Sequence, residues 1–299
     1  MFPFKIYETG SVMYFDFTNC KLTQQTVKKT SELFIQKIIK NYPPPYTLLL
    51  SGGIDSQAML QCWINANAPF KAITIKFEND LNMHDIGNVE IYAKDLNVKV
   101  DYIDFNIINF LENNLNDYVT RYNCASPQIC AHMAWVDLIK EGTVLLSGSP
   151  PFLNRVEFTI DLLPFYTFID INKSNCIPYF FLEDLDTCSA FLSLQKNFWK
   201  DSNPNNEFRG QGFHFYSKKC ELYKQANFKI YPQYNKFSGF EQVKELYDSR
   251  HDLTSPKERL QFNQMPSKRI FDIIYRYRNY KTINRIDKRI EAVVPSEFK

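Results

Sequence analysis

Two short stretches carry residue types that can do chemistry together. The first, Ser51-Gly52-Gly53-Ile54-Asp55-Ser56, follows an apolar run and leads at once into a helical pattern. A strand, a glycine-rich turn and a helix start bring several backbone N–H groups to one point, which is how proteins build anion sites. Glycine is used where backbone approaches a ligand closely or takes positive φ. Gly52 and Gly53 therefore suit a phosphate or pyrophosphate, with the Ser51 and Ser56 hydroxyls as further donors. Asp55 would repel a phosphate unless a cation lay between them, so the expected role of Asp55 is to ligate a Mg²⁺ that bridges phosphate oxygens. The same residues also fit an ordinary tight strand-to-helix turn, with Asp55 or Ser56 as its N-cap. The second stretch, Ser147-Gly148, again follows an apolar run.

Both stretches need a scaffold that holds them side by side. After 4–17, which reads as two short strands around a Thr-Gly turn, 22–42 reads as an amphipathic helix with Val27, Phe34 and Ile38 on one face. Pro43-Pro44-Pro45 ends it, because proline cannot donate to a helix ladder. Strands are then expected at 47–50, 70–77, 99–105 and 143–146, and helices at 57–65, 84–96 and 128–140. Such alternation implies an α/β fold: a Rossmann-like parallel sheet with helices on both faces, where ligands sit at the carboxyl ends of the strands. Both Ser-Gly pairs fall at that end, which points to one site. The alternation is expected to stop beyond Pro150. Stretches 179–200 and 240–290 read as mainly helical, separated by the loop-like SNPNNEFRGQG. The expected division is an N-terminal β-hairpin extension at 1–21, an α/β domain at 22–175 that carries both loops, and a mainly helical C-terminal region at 176–299 that completes the site.

The composition sets outer limits. Hydrophobic residues make up 44% and charged residues 23% of the 299 residues, the balance of a globular protein with room for a large core. The net charge of +2 names no partner. No apolar run reaches the ~18 residues of a membrane span, and the N-terminus lacks the pattern of a signal peptide. The seven cysteines are odd in number and form no C-x-x-C, against a disulfide framework or a common structural zinc site. A cytoplasmic protein with reduced thiols and no membrane partner is the expectation.

Ser-Gly-Gly-x-Asp-Ser after a buried strand resembles the pyrophosphate loop of the N-type ATP pyrophosphatases, or PP-loop superfamily. This superfamily holds asparagine, β-lactam, NAD, GMP and argininosuccinate synthetases and several tRNA-modifying enzymes. HDIGNVEIYAKDLNVKVDYIDF, with Glu90 and Ala93, and SPQICAHMAWVDLIKEGTVLLSG are similar to segments of the synthetase domain of asparagine synthetases. Fainter likenesses follow in IPYFFLEDL and YNKFSGFE, so the resemblance runs from about residue 22 to 241 and is strong only at the first loop. It implies ATP lying across the strand ends, with adenine against the backbone of Ile75, Lys76 and Phe77 and pyrophosphate on Ser51–Ser56, beside Ser147 and Gly148. It also implies ATP-dependent adenylation of a small carboxylate, releasing pyrophosphate, followed by amide formation that releases AMP. Lys236, in Asn-Lys-Phe-Ser-Gly, resembles the family's late lysine and is the candidate for a catalytic cation; it fits a solvated surface lysine equally well.

Two departures matter. The family's second loop reads Ser-Gly-x-Gly-x-Asp-Glu and supplies a further acidic ligand for magnesium, whereas SGSPPFLNR has Phe152 and Leu153 there. Either one cation site is remodelled, with Glu157 or Asp161 as a substitute, or turnover is weakened or lost. The glutamine-dependent members begin with a catalytic cysteine on an amidotransferase domain; here Phe2 follows Met1 and a long helix is expected about twenty residues on. Ammonia, another amine or a separate partner is then the expected nitrogen source.

Two further features leave alternatives open. Cys124 and Cys130 flank ASPQI near the expected site, which fits either sulfur transfer, as in thiolating members of the superfamily, or inert buried thiols. From Lys257 to Arg289 there are ten Lys or Arg and three Asp or Glu, interleaved with Tyr275, Tyr277 and Tyr280. That pattern fits a tRNA-contacting helix or a solvated surface helix, and the former would make the chain a tRNA-modifying adenylating enzyme.

Overall fold

The computed structural model describes residues 5–9, 12–124, 126–152, 162–198, 212–233, 240, 242–243, 246, 289–293 and 295–298. A five-stranded parallel sheet is built from β3 (Tyr46–Leu49), β4 (Lys71–Phe77), β5 (Val100–Phe105), β6 (Thr143–Leu145) and β7 (Cys176–Ile177), in the order β5-β4-β3-β6-β7. The chain fills one side of β3 first and then crosses to the other. The order therefore reverses between β3 and β6, and the carboxyl ends of these two strands form the crevice where open α/β sheets bind ligands.

Helices cover both faces. Successive strand residues point to opposite sides, so Leu48 and Leu50 pack in one core while Leu49 packs in the other. The first core takes residues from α1 (Val27–Asn41), α2 (Ile54–Asn65), α3 (Met83–Asp95) and α9 (Gly212–Gln225). The second takes residues from α4 (Ile107–Asn109), α5 (Leu115–Tyr122), α6 (Pro127–Leu138) and α7 (Leu162–Asn172). Helix α1 starts at Val27 rather than at 22, because the Thr26 hydroxyl accepts the Lys29 N–H and caps the helix there. Pro127 sits in the first turn of α6, where its missing N–H costs nothing, behind the Ser126 cap. Helix α8 (Leu185–Phe198) packs on α1; Asp184 caps it through Thr187 and is held by Lys37 at 2.7 Å.

The strands and helices expected up to residue 146 are present within a few residues. The alternation does not stop at Pro150: α7 and β7 add one more unit, and β7 pairs parallel to β6. Residues 107–122 form an unexpected helix, α4 running through a π-helical turn at Phe110–Asn114 into α5. Nor are the last residues purely helical. β8 (Arg289–Val293) lies parallel to β2 (Val12–Asp16), which pairs antiparallel with β1 (Lys5–Thr9). No described helix is long and apolar enough to cross a membrane.

Candidate functional site

The first loop lies in the crevice between β3 and β6. Its shape is set by its own hydroxyls: Ser56 Oγ accepts the Ser51 N–H at 3.1 Å, and Ser51 Oγ accepts the Gly53 N–H at 3.2 Å. Gly53 has φ −73° and precedes Ile54, the first residue of α2, with no side-chain cap hydrogen bond. The N–H groups of a first helical turn have no partner within the helix. Ile54 itself is buried and anchors that turn in the core. The Gly52 carbonyl is held from behind by Gln57 at 3.1 Å and Asn88 at 2.5 Å, and Tyr92 donates to the Ser51 carbonyl at 3.0 Å.

Gly52 is required by approach. A Cβ there would lie 2.5 Å from Asp85 Oδ1 and 2.8 Å from the Asp85 carbonyl oxygen. The Gly52 N–H donates to that same Asp85 Oδ1 at 2.7 Å. A carboxylate oxygen is thus already seated on the loop's backbone donor, which is the contact a phosphate oxygen would make. Ser147 joins from the second loop: its hydroxyl is 3.4 Å from Ser56 Oγ, so both Ser-Gly stretches do meet.

Asp55 is surrounded by residues that its sequence neighbourhood does not announce. Lys219 Nζ, on α9, lies 2.8 Å from Asp55 Oδ2, and the Tyr223 hydroxyl, one turn further on, donates to Oδ1 at 2.5 Å. Ser149 of the second loop donates to Oδ2 at 3.5 Å and in turn accepts from Lys219. Lys219 is only 6% exposed, a depth at which a charged lysine needs an anionic partner. The expected Mg²⁺ fits this arrangement poorly. Both oxygens of its one proposed ligand are engaged, Oδ2 by an ammonium, and the described residues hold no group of three or more His, Cys, Asp or Glu able to bind a metal. Phe152, where the resemblance leads one to expect an acidic residue, is buried in the apolar core.

The backbone expected to meet adenine is at the carboxyl end of β4. Ile73 faces β3, whose next residue Leu50 donates to its carbonyl at 2.8 Å, and two-residue alternation puts Ile75 and Phe77 on the same edge beyond the end of β3. The Asn82 carboxamide holds that edge, donating to the Ile75 carbonyl at 2.9 Å and accepting the Phe77 N–H at 2.8 Å. An adjacent donor and acceptor is also what the Watson–Crick edge of adenine offers. The Ile75 and Phe77 side chains are buried, while Lys76 pairs with Asp80 at 3.4 Å.

After α9 the chain crosses back over the loop. Gln57 and Gln61, one turn apart on α2, hold the N–H and carbonyl groups of Tyr231 and Lys229. Gln233 then donates to the His84 carbonyl at 2.8 Å, and its Oε1 is buried without a hydrogen-bond partner, 3.0 Å from the place of a Gly52 Cβ. Lys236, Glu157, Asp161 and the basic stretch 257–288 lie outside the described residues. Cys124 and Cys130 are fully buried, with Cys124 Sγ on the Ser126 carbonyl at 3.6 Å, which speaks against a reactive thiol. Burial also pushes the Cys62 thiol up to about 12 and the Cys20 and Cys220 thiols to about 11.

Lys219 and Tyr223 are not among the expected site residues, because no individual helix is assigned to 213–225 within the mainly helical C-terminal region. A signal was present: Tyr216, Cys220 and Tyr223 recur at helical spacing, and a lysine adjoining such an apolar stripe is unusual.

No family model matches the chain, and no curated protein matches it. Among solved structures it is similar to an NH3-dependent NAD synthetase from Campylobacter jejuni in complex with nitrate, at 16% identity and TM-score 0.37, over 67% of this chain and 83% of that one. It is also similar to an NMN synthetase from Francisella tularensis, at 13% identity and TM-score 0.36, over 88% of this chain and 97% of that one. A glutamine-dependent NAD+ synthetase from Acinetobacter baumannii in complex with ADP is similar at 12% identity and TM-score 0.32, over 85% of this chain and 48% of that one.

Proposed function

We propose that this chain binds ATP across the ends of β3, β4 and β6 and transfers its AMP moiety to a small carboxylate, then forms an amide with ammonia or another amine. The observation that carries this reading is the first loop. Ser51–Ser56 turns around a backbone N–H that already holds a carboxylate oxygen, at the reversal point of the sheet and beside Ser147. On this reading the pyrophosphate displaces Asp85 from Gly52, and adenine displaces Asn82 from Ile75 and Phe77. The substrate carboxylate attacks the α-phosphorus; a carboxylate–phosphorus bond forms, the bond to the bridging oxygen breaks, and pyrophosphate leaves. The amine then attacks the acyl carbon and AMP leaves. The loop's part is to hold the leaving group in line and to stabilise its developing charge through N–H donors.

A second reading has its own support. The buried Phe152 fits a protein that binds nucleotide without turning it over. A tRNA substrate rests on the basic stretch 257–289 alone. One experiment separates these readings: α-³²P-labelled ATP is incubated with ammonium and pools of carboxylates or tRNA, with Asp55→Ala as control. Labelled AMP from the wild type alone supports adenylation, and the active pool tells amide formation from tRNA modification. Labelled ADP overturns the adenylation reading. Bound but intact ATP supports the second reading.

A further inference from the structure

Asp55 stands on the first turn of the helix that follows the phosphate loop, where a bare carboxylate would repel the ligand the loop is built to hold. The fold resolves that conflict internally. Lys219 reaches Asp55 Oδ2 at 2.8 Å, Tyr223 occupies Oδ1 at 2.5 Å, and Ser149 bridges Lys219 and Asp55 from the second loop. We propose that the Lys219 ammonium does the work that Asp55 would otherwise assign to a magnesium ion: it neutralises the carboxylate beside the phosphate loop, so that a nucleoside triphosphate is bound without a divalent cation. This inference rests on the ATP-site reading above and adds its cation requirement.

Three observations point the same way. The ammonium and Asp55 form a neutral pair, so of the two carboxylates beside the loop only Asp85, seated on the Gly52 N–H, remains for an incoming polyphosphate to displace. An ion approaching Oδ2 would have to displace a lysine that is itself buried, with desolvation already accomplished on folding. Phe152, at one of the two positions where the resemblance calls for an acidic ligand, is packed into the core and offers none. Lysine binds phosphate as a compact point charge, which suits this task. Ser149 and Tyr223 act as positioning residues that hold the pair in register.

The test uses α,β-methylene-ATP, which cannot be cleaved at the α-phosphate, and isothermal calorimetry on the full chain in EDTA and in excess Mg²⁺. The wild type is expected to bind in EDTA with a Kd within about threefold of its value in Mg²⁺, because the charge is supplied from within. Lys219→Arg keeps the charge and the metal independence. Lys219→Met is expected to weaken binding in EDTA by about tenfold or more and to recover it in Mg²⁺, since the ion then takes the vacated place on Asp55. Because that variant leaves Asp55 uncompensated and is less stable, the double variant Asp55→Asn/Lys219→Met is measured beside it. With no carboxylate to recruit the ion, it is expected to show no response to Mg²⁺. Wild-type binding in Mg²⁺ but not in EDTA overturns the inference and leaves the ATP site standing. No binding in either buffer overturns both.

Discussion

Leu-Leu-Ser-Gly occurs twice, at residues 49–52 and 145–148, each time at the carboxyl end of one of two neighbouring parallel strands. The tetrapeptides are identical and their surroundings are opposite. After Gly52 the chain enters helix α2 and presents an aspartate that a lysine and a tyrosine hold. After Gly148 it runs into Ser149-Pro150-Pro151-Phe152, whose last side chain joins the core. The glycines differ in kind as well. Gly148 has φ +56°, a left-handed conformation, whereas Gly52 is not left-handed and is needed because Asp85 approaches so closely. A shared tetrapeptide at a strand end therefore fixes neither the turn nor the chemistry; what packs behind it does.

The sharpest way to break the comparison is to add a methyl group at Gly52. Gly52→Ala puts a Cβ 2.8 Å from the Asp85 carbonyl oxygen, and this is backbone at the start of α3, which cannot swing aside as a side chain can. We expect a loss of about 2–3 kcal/mol in urea unfolding, the upper range for overpacking, because loop and helix must part. Nucleotide binding by calorimetry should vanish with it. Retained affinity with wild-type stability would show that the loop and α3 are not in contact as described.

Charge gives the next contrast. Behind the first loop the acid is ion-paired; behind the second, Glu183 has no salt bridge among the described residues and is held by a tyrosine hydroxyl. Tyr179 abuts Gly148, its ring lies 6.3 Å from that of Tyr166, and the Tyr166 hydroxyl donates to Glu183. Burial pushes the Glu183 carboxyl up to about 7, only partly opposed by the Tyr166 hydrogen bond. In the unfolded chain this group has its ordinary value, near 4.5. Between these values the folded state holds more proton than the unfolded state, so stability falls as pH rises from about 4.5 through about 7. Glu183→Gln removes the titration. The variant should match wild type at pH 4 and exceed it by about 2 kcal/mol at pH 8, as judged by urea unfolding at both values. Equal stability of the two proteins at pH 8 would mean that Glu183 is not buried as a neutral acid.

The part of the fold legible in the sequence is the part that short-range physics determines. Buried parallel strands are apolar runs with turn residues at their ends, so β3 to β6 could be placed within one or two residues. β7 is two residues long and β8 pairs with a strand 277 positions away, as 289 − 12 gives for the Val12–Arg289 pair, so neither leaves a local trace. The helix at 107–122 is asparagine-rich and distorted by a π turn, which spoils its period. The site divides in the same way. Gly52 and the serines of both loops were visible because a turn needs them. Lys219, Asp85 and Asn82 were not, because each acquires meaning only from a partner brought near by folding: Lys219 is 164 residues from Asp55, and Asp85 is 33 from Gly52.

The smallest expected effect falls on the second loop and closes the contrast between the glycines. Gly148→Ala must accept φ +56° with a Cβ, and that Cβ meets Tyr179 Cα and Cδ1 at 3.0 Å. A left-handed alanine costs about 1 kcal/mol, and the tyrosine must give by a few tenths of an ångström, so the expected loss is about 1–2 kcal/mol. Because the Gly148 side of the crevice contributes Ser147 and Ser149 but no backbone donor to the seated carboxylate, nucleotide affinity should fall only about threefold, against complete loss in Gly52→Ala. Calorimetry on the two variants side by side tests this. If Gly148→Ala loses binding as completely as Gly52→Ala, the second loop holds the ligand as directly as the first, and the division of labour between the two Leu-Leu-Ser-Gly turns is wrong.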